Sequence, residues 1–575
     1  MSRLIPTLND IARKAIKTAL DLDAEPVVRE TNDARFGHYQ INGILPLAKT
    51  LKTNPRQLAD KVAAVLGAEE MFLEPEVAGP GFINLRLAPE WLGAQVGAVA
   101  ADHERLGIEK VAEPESIVID FSSPNVAKKM HVGHLRSTII GDALVRVLKF
   151  LGHNVVGDNH VGDWGTQFGI LIWAWRNRGS DLDSEGVTIG DLEELYKAGT
   201  AASQESPAIK DACREELVKL QAGDEANCSL WKKFVAISRE EAEQTYRRLN
   251  VDFDTWHGES FYHDALPGVV EELKTKGIAR QDEGAMVVFF GEDSPLKDRP
   301  FLIQKKDGAF LYSTTDIATV QFRIRQHQAS RMIYVVDVRQ GLHFKQLFKT
   351  IEMLGIDTRM EHVGFGMMMG ADGKPFRTRD GGTETLAALL DEAEDRILPR
   401  VLEKWPQLSE DEQRDIATRV GIGAVKYADL CQNLATDYKF DWDKLLAAEG
   451  NTGPYLQYTL VRVRSVLRAY SDRFGGDFVT DGKPISLGTA EERELAVELL
   501  RFHDVLGGVE ESLLPHGLCE YVYGLARKYN PFYAACPILI SEGETLRSRM
   551  TLCAMTARTL ELGLGALNLP LLERM

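Results

Sequence analysis

Two histidines, His131 and His134, stand three residues apart in the string HVGH, with Gly133 between them, where strand-like text gives way to helix-like text. Upstream, Ile117, Val118 and Ile119 form a β-branched run suited to a buried strand, and Ser122, Ser123, Pro124 and Asn125 break it in turn-forming residues. Downstream, Leu135, Ile139, Ala143 and Val147 recur every fourth residue, which is one face of a helix. A glycine lets backbone approach a ligand closely, and a helix N-terminus offers free N–H groups to an anion. Imidazoles at such a turn hydrogen-bond phosphate oxygens and stabilise charge that moves onto them during displacement at phosphorus. The spacing points to nucleotide chemistry. A zinc pair is the weaker reading, because no Cys or His-Glu-x-x-His pattern lies nearby, and a purely structural pair stays open on four residues alone.

The wider string decides between them. HVGH resembles the HIGH motif of class I aminoacyl-tRNA synthetases, and FSSPNVAKKMHVGHLRSTIIGD resembles its arginyl-tRNA synthetase form. Similar blocks recur at Tyr312 to Asp316, Tyr334 to Gln346, Gly373 to Thr383 and Glu449 to Tyr458, in the family's order along essentially the whole chain. The resemblance implies activation of L-arginine by ATP to arginyl-adenylate and pyrophosphate, with tRNA present, and transfer of arginine to the 3′ end of tRNA(Arg). Mg2+ is assumed to accompany ATP; no metal-ligand motif is read in the chain.

In-line attack of a carboxylate on the α-phosphate needs positioning and donor or cationic groups around the phosphates. By resemblance, His131, Gly133 and His134 bind ATP, and the two histidines are catalytic. The counterpart of the family's KMSKS segment is DGKPFRTRDGGT, which assigns Lys374, Arg377 and Thr378 to ATP. Thr378 stands where most class I enzymes carry the second lysine. Many arginyl enzymes share this departure and have a lysine just before the His motif; Lys128 occupies that position, with Lys129 beside it. A primary amine there reaches the phosphates as a mobile point charge, so Lys128 is counted with the catalytic and ATP-binding residues.

A guanidinium has five N–H donors and no acceptor, so its pocket must offer carboxylates and amide or hydroxyl oxygens. Asp120, Asn125, Tyr312, Asp316 and Gln340 supply that inventory at expected loop edges. By resemblance, Asp316 and Tyr312 bind the guanidinium side, Asp120 and Asn125 hold the substrate from the first strand turn, and Gln340 lines the pocket. Asp120 is shorter than the Glu that some relatives carry there.

These residues need a scaffold that brings loop ends together. The expected fold is α/β: a Rossmann-like parallel-sheet catalytic domain over 111–390 with an insertion at about 171–300, an N-terminal α/β or α+β module over 1–110, and an all-helical domain over 391–575. Strands are expected at 155–159, at Phe310–Tyr312 and at 332–336, and charged helical text fills the insertion, the family's holder of the acceptor end. The family's N-terminal module contacts the tRNA corner, and Phe36-Gly37-His38-Tyr39-Gln40 resembles its most recognisable stretch. The helical third corresponds to an anticodon-binding domain, for which Tyr455, Tyr458, Tyr523, Arg527 and Asn530 have the right chemistry, while the helical period leaves Arg462 and Arg468 for solvent or phosphate.

Composition bounds the rest. A chain of 575 residues is long enough for several cores, and 44% hydrophobic with 26% charged residues is ordinary globular composition. The six cysteines form no Cys-x-x-Cys pair, so neither a disulfide framework nor a zinc knuckle is indicated. No apolar run reaches membrane-spanning length, and a cytoplasmic monomer that meets no membrane is expected. The net charge of −18 argues against indiscriminate nucleic-acid binding, so tRNA must meet local basic patches. The competing functions are a nucleotidylyltransferase, which needs neither terminal domain, and a non-catalytic tRNA-binding paralogue, which needs no phosphate ligands.

Overall fold

Leu4, Leu8, Ala12, Ala15 and Ile16 share the buried face of the first helix, Leu4–Leu20, in the computed structural model, which describes residues 3–573 apart from 32, 179–185, 371, 375 and 377–384. The chain divides into two compact units, Met1–Lys110 with Ala447–Met575, and Val111–Leu446. In the first, β1 (Val28–Glu30), β2 (Tyr39–Ile41), β3 (Glu76–Ala78) and β4 (Phe82–Leu85) make an antiparallel sheet in the order β1-β2-β4-β3. The C-terminal part of this unit is helical over Gly453–Phe474, Ala490–Leu500, Phe502–Ser512, His516–Ala535 and Gly543–Ala566.

The first helix has no acceptor of its own at its start, since Arg3 occupies the N-cap. Asp504 replaces it, its carboxylate accepting from the backbone N–H of Leu4 at 3.1 Å and of Ile5 at 3.1 Å. Burial outweighs these donors and pushes the Asp504 carboxyl up to about 6. A folded pKa above the unfolded value of about 3.9 means that the folded state takes the proton more readily. This group therefore costs stability progressively as pH rises from about 4 to about 6. Melting temperatures at pH 4.5 and 7.5 test this: wild type is expected to lose more on going to pH 7.5 than Asp504→Asn, and equal losses would contradict it.

In the second unit, β5 (Ser116–Asp120) and β6 (Asn154–Asp158) are followed by an insertion and then by β10 (Arg331–Asp337) and β11 (Arg359–Phe365). The insertion holds helices over Thr166–Arg178, Ile189–Glu205, Pro207–Gln221 and Glu225–Leu249. It also holds an unforeseen antiparallel sheet of β7 (Ala279–Asp282), β8 (Ala285–Val288) and β9 (Phe301–Gln304). The four main strands are parallel in the order β11-β10-β5-β6. Ile117, Val118, Ile119, Met332, Ile333 and Val335 are at most 1% exposed, as expected for strands covered on both faces. The chain moves outward from β5 to β6 on one side and from β10 to β11 on the other. The crevice at the carboxyl ends of β5 and β10 is thus a switch point, where such sheets bind ligands.

Two elements differ from the sequence expectation. Phe310–Tyr312 is not a strand: Phe310 makes one bridge to Gln304, and a helix begins at Tyr312 and runs to His327. Ser313 and Thr314 send their hydroxyls to the carbonyls of Leu302 and Ile303, both at 2.5 Å, which ties the helix start to β9. The second unit also runs to Leu446, past the boundary expected near 390. Helices Leu386–Lys404 and Glu410–Leu430 pack on each other and on the helix that follows β5. A short pair, β12 (Met368–Met369) with β13 (Tyr438–Lys439), closes this unit. No helix among the described residues is long and apolar enough to cross a membrane.

Candidate active site

The loop between β5 and the helix Val132–Leu151 is strained and held. Ser122, Ser123 and Ala127 have positive φ, at 71°, 47° and 62°, a region that costs non-glycine residues about 1 kcal/mol or more each. Their backbone is fixed by neighbours: Ser122 N–H donates to Ser137 Oγ at 2.8 Å, Ser123 N–H to Asn159 Oδ1 at 3.1 Å, and Ala127 N–H to Ser238 Oγ at 2.9 Å. Strain maintained in this way is expected where a loop must present its backbone to a ligand.

His131 is the N-cap of that helix. The Gly133 N–H donates to His131 Nδ1 at 3.0 Å, and the His131 N–H donates to His134 Nδ1 at 3.1 Å, a reciprocal capping box built from two imidazoles. A Cβ on Gly133 would lie 2.8 Å from His131 Cε1, so glycine is what lets the ring fold back onto its own helix. Backbone N–H groups can only donate, hence both Nδ1 atoms are unprotonated acceptors and each neutral ring carries its proton on Nε2. The rings lie 4.0 Å apart, centroid to centroid. Burial, aided by Lys128, lowers His131, and burial, His131 and Lys128 together push His134 down to about 3. The pair therefore offers two Nε2–H donors without adding positive charge.

Lys128 is exposed on the same loop, its ammonium 5.3 Å from the Tyr196 ring centroid. Lys374 is also exposed, at a turn in which Gly370 N–H donates to its carbonyl at 2.7 Å. Arg377 and Thr378 lie outside the described residues. Gly133 sits on the helix N-terminus as expected.

The expected arginine-pocket residues fall into two groups. Asp316, in the second turn of the Tyr312–His327 helix, has its Oδ2 2.5 Å from His343 Nε2, and the Tyr312 ring lies tilted against the same imidazole, centroids 5.0 Å apart, while remaining 63% exposed. Gln340 is exposed at the N-cap of the helix Gly341–Met353. Asn125 is exposed in the β5 loop, bridged through its backbone to Gly162. Asp120 is buried instead: its Oδ2 accepts from Arg323 Nη2 at 2.6 Å, and Asp158 accepts from the same nitrogen at 2.7 Å. One oxygen of Asp120 is thus committed to a guanidinium belonging to the chain, and Ser123 Oγ donates to the other at 3.0 Å.

Sequence reasoning missed three groups here. Glu259 is pushed up to about 8 by burial and by the charges of Asp316 and Asp163. Asp163 is raised by burial and accepts from Ser260 N–H at 2.8 Å and Ser260 Oγ at 2.6 Å. His343 fixes Asp316. For His343 the signal was the string QGLH, inside the Tyr334–Gln346 block, and for Asp163 it was the glycine-rich string HVGDWGTQFG at the carboxyl end of an expected strand; nothing marked Glu259.

In the other unit, Arg462 Nη1 donates to Asn530 Oδ1 at 3.1 Å, Asn530 Nδ2 donates to Tyr455 OH at 2.8 Å, and the Arg462 guanidinium lies 4.9 Å from the Tyr458 ring centroid. Tyr455 stacks edge-on to Tyr523 at 5.7 Å, and Arg527 lies 5.9 Å from the Tyr523 ring. Arg468 is occupied internally, donating to the Glu573 carbonyl at 3.0 Å. Within FGHYQ, Phe36 is 43% exposed, whereas Tyr39 is fully buried and Gln40 donates to Asn84 Oδ1 at 2.8 Å.

Family models match the chain in three stretches: "tRNA synthetases class I (R), catalytic domain" over 95–442, "DALR anticodon binding domain" over 456–575, and "Arginyl tRNA synthetase N terminal domain" over 6–87. The arginine–tRNA ligase of Chromobacterium violaceum is 47% identical over 99% of both chains, and that of Laribacter hongkongensis 45% identical over 100% of both. Among solved structures, the arginyl-tRNA synthetase of Plasmodium falciparum superposes with a TM-score of 0.86 at 28% identity, covering 100% of both chains.

Proposed function

Because the chain belongs to the arginyl-tRNA synthetases of class I, we propose that the crevice at the ends of β5 and β10 performs the two half-reactions of that family. The arginine carboxylate attacks the α-phosphate of ATP, the bond to the β-phosphate oxygen breaks, and pyrophosphate leaves. A terminal ribose hydroxyl of tRNA(Arg) then attacks the adenylate carbonyl, AMP leaves, and the hydroxyl proton passes to solvent or phosphate. The observation that carries this reading is the pair of neutral imidazoles whose Nδ1 atoms are both held by backbone, leaving two Nε2–H donors at a helix N-terminus. Such donors meet charge developing on phosphate oxygens without having to reorganise.

The remaining roles follow from chemistry. Lys128 and Lys374 supply mobile cations for the phosphates, with Arg377 and Thr378 on the same segment as Lys374. ATP brings Mg2+ on its phosphate oxygens, and no protein ligand for the ion is assigned. Asp316, oriented by His343, takes the arginine guanidinium together with Tyr312 and Glu259, and Asn125 and Gln340 line the approach. Asp120 acts on the substrate through its remaining acceptor capacity while balancing Arg323. The N-terminal module, through Phe36, contacts the body of the tRNA, and the C-terminal helices read the anticodon. The enzyme is read as a cytoplasmic monomer.

Charging of total tRNA with radiolabelled arginine, ATP and magnesium tests the reading. Charging with arginine and not with citrulline is expected; no charging would move the non-catalytic reading to the front. For the helical part, Arg462→Ala is expected to raise the KM for tRNA about tenfold, the scale of one lost stacking contact. The KM for arginine should not move, and an unchanged tRNA KM would remove Arg462 from the anticodon surface.

A further inference from the structure

Arg136 follows His134 by two residues and faces the interior, 1% exposed. Its Nε donates to Asp429 Oδ1 at 3.2 Å and its Nη1 to the Gly366 carbonyl at 2.8 Å. Tyr438 OH donates to Asp429 Oδ2 at 2.9 Å, and the guanidinium lies 5.2 Å from the Tyr438 ring centroid and 5.7 Å from that of Phe365. Four elements therefore meet on one side chain: the motif helix, the end of β11, the helix Glu410–Leu430, and β13.

What lies beyond Gly366 gives this junction its meaning. β12 starts two residues later and pairs with β13, which carries Tyr438. From β12 the chain enters the turn of Lys374, pinned by Phe376 N–H donating to the Met368 carbonyl at 3.1 Å and Gly370 N–H donating to the Lys374 carbonyl at 2.7 Å. The root of the Lys374 turn and the second turn of the HVGH helix are thus joined by one guanidinium. Stability alone does not account for it. A buried ion pair is commonly matched or bettered by apolar residues of similar volume, and Arg136 Nη2 has no hydrogen-bond partner among the described residues. What the guanidinium adds over a hydrocarbon is direction, because its planar fork holds a carboxylate and a carbonyl at fixed angles.

We propose that Arg136 is a positioning residue for the activation step, holding the HVGH turn and the Lys374 turn in register on one nucleotide. The proposal rests on the reading of both turns as phosphate-binding. It predicts a loss in rate, because an in-line displacement depends steeply on the relative placement of donors and phosphates, while the arginine pocket contains none of the four elements that meet on Arg136.

The test is arginine-dependent ATP–pyrophosphate exchange by the full chain with tRNA present. Arg136→Lys keeps the charge and loses the fork. It is expected to lower kcat about 100-fold with the arginine KM within about twofold of wild type. Tyr438→Phe, which loosens Asp429 without removing the ion pair, is expected to show the same pattern at about tenfold. A normal kcat with only a lower melting temperature for Arg136→Lys would make the residue a packing element and overturn the proposal. Should Arg136→Lys not fold, an unchanged kcat in Tyr438→Phe would overturn it equally. Absence of exchange by wild type would instead defeat the phosphate reading itself.

Discussion

Asparagine at position 316 is expected to raise the KM for arginine by about 10²- to 10³-fold, with the KM for ATP unchanged within about twofold. The size follows from removing one charge of a desolvated guanidinium–carboxylate pair, which costs about 2–5 kcal/mol because the other charge is left unmatched. The fold should tolerate the change, since His343 Nε2, 2.5 Å from the present carboxylate, can still donate to the amide oxygen. Glu259 adds a pH dependence with a definite sign. Burial and the Asp316 charge hold it up at about 8, so removing that charge lets it ionise at lower pH. An ionised Glu259 partly replaces the lost carboxylate. The KM penalty of Asp316→Asn should therefore shrink as pH rises from about 6 towards 8. Initial rates of charging against arginine concentration at both ends of that range decide it; a penalty below about fivefold throughout would assign the guanidinium to other residues.

Asp316 was legible because it stands in a local string, and Glu259 was not, because nothing local marks it. The strand run Ile117–Ile119, the turn residues after it and the apolar period after His134 all act within a few residues, so the β5 loop and its helix follow from propensity and pattern. Glu259 comes beside Asp163 only because the turn that follows the helix Glu225–Leu249, inside the insertion, folds back over the loop after β6, a contact between residues far apart in the chain. The same limit explains Asp120. Its residue type fits a guanidinium pocket, yet the guanidinium it meets is that of Arg323, distant in sequence and buried with it. Phe310–Tyr312 reads as a strand because three large apolar or aromatic residues fit one. Tertiary bonds from Ser313 and Thr314 to β9 start a helix there instead. The unit boundary was hidden for a different reason: helices that cover a parallel sheet and helices of a bundle share one period, so amphipathic text cannot separate them.

Asparagine at position 134 is expected to cut kcat for ATP–pyrophosphate exchange about 10²- to 10³-fold, the scale of one preorganised donor lost from a developing oxyanion. Alanine should give the same rate loss and, in addition, a lower melting temperature. The two variants separate the two ends of the ring. In wild type, Nδ1 accepts the His131 N–H and caps the helix, which leaves the proton on Nε2 as the donor. An asparagine oxygen can occupy the place of Nδ1 and keep the cap, but its amide is too short to reach where Nε2 stood. Alanine keeps neither, and loss of a cap costs about 1 kcal/mol. Proton linkage gives an independent check. His134 titrates at about 3 in the folded protein against about 6.5 unfolded, so its contribution to stability is fully present above 6.5 and is lost as pH falls towards 3. Between pH 5 and 8 the ring is neutral throughout, and log kcat should show no step from this residue. A step near pH 6 in wild type that disappears in His134→Asn would mean that the imidazolium is the working form. That outcome would reverse the donor assignment on which the site is built, since a doubly protonated ring cannot accept the His131 N–H and bind phosphate in the geometry described.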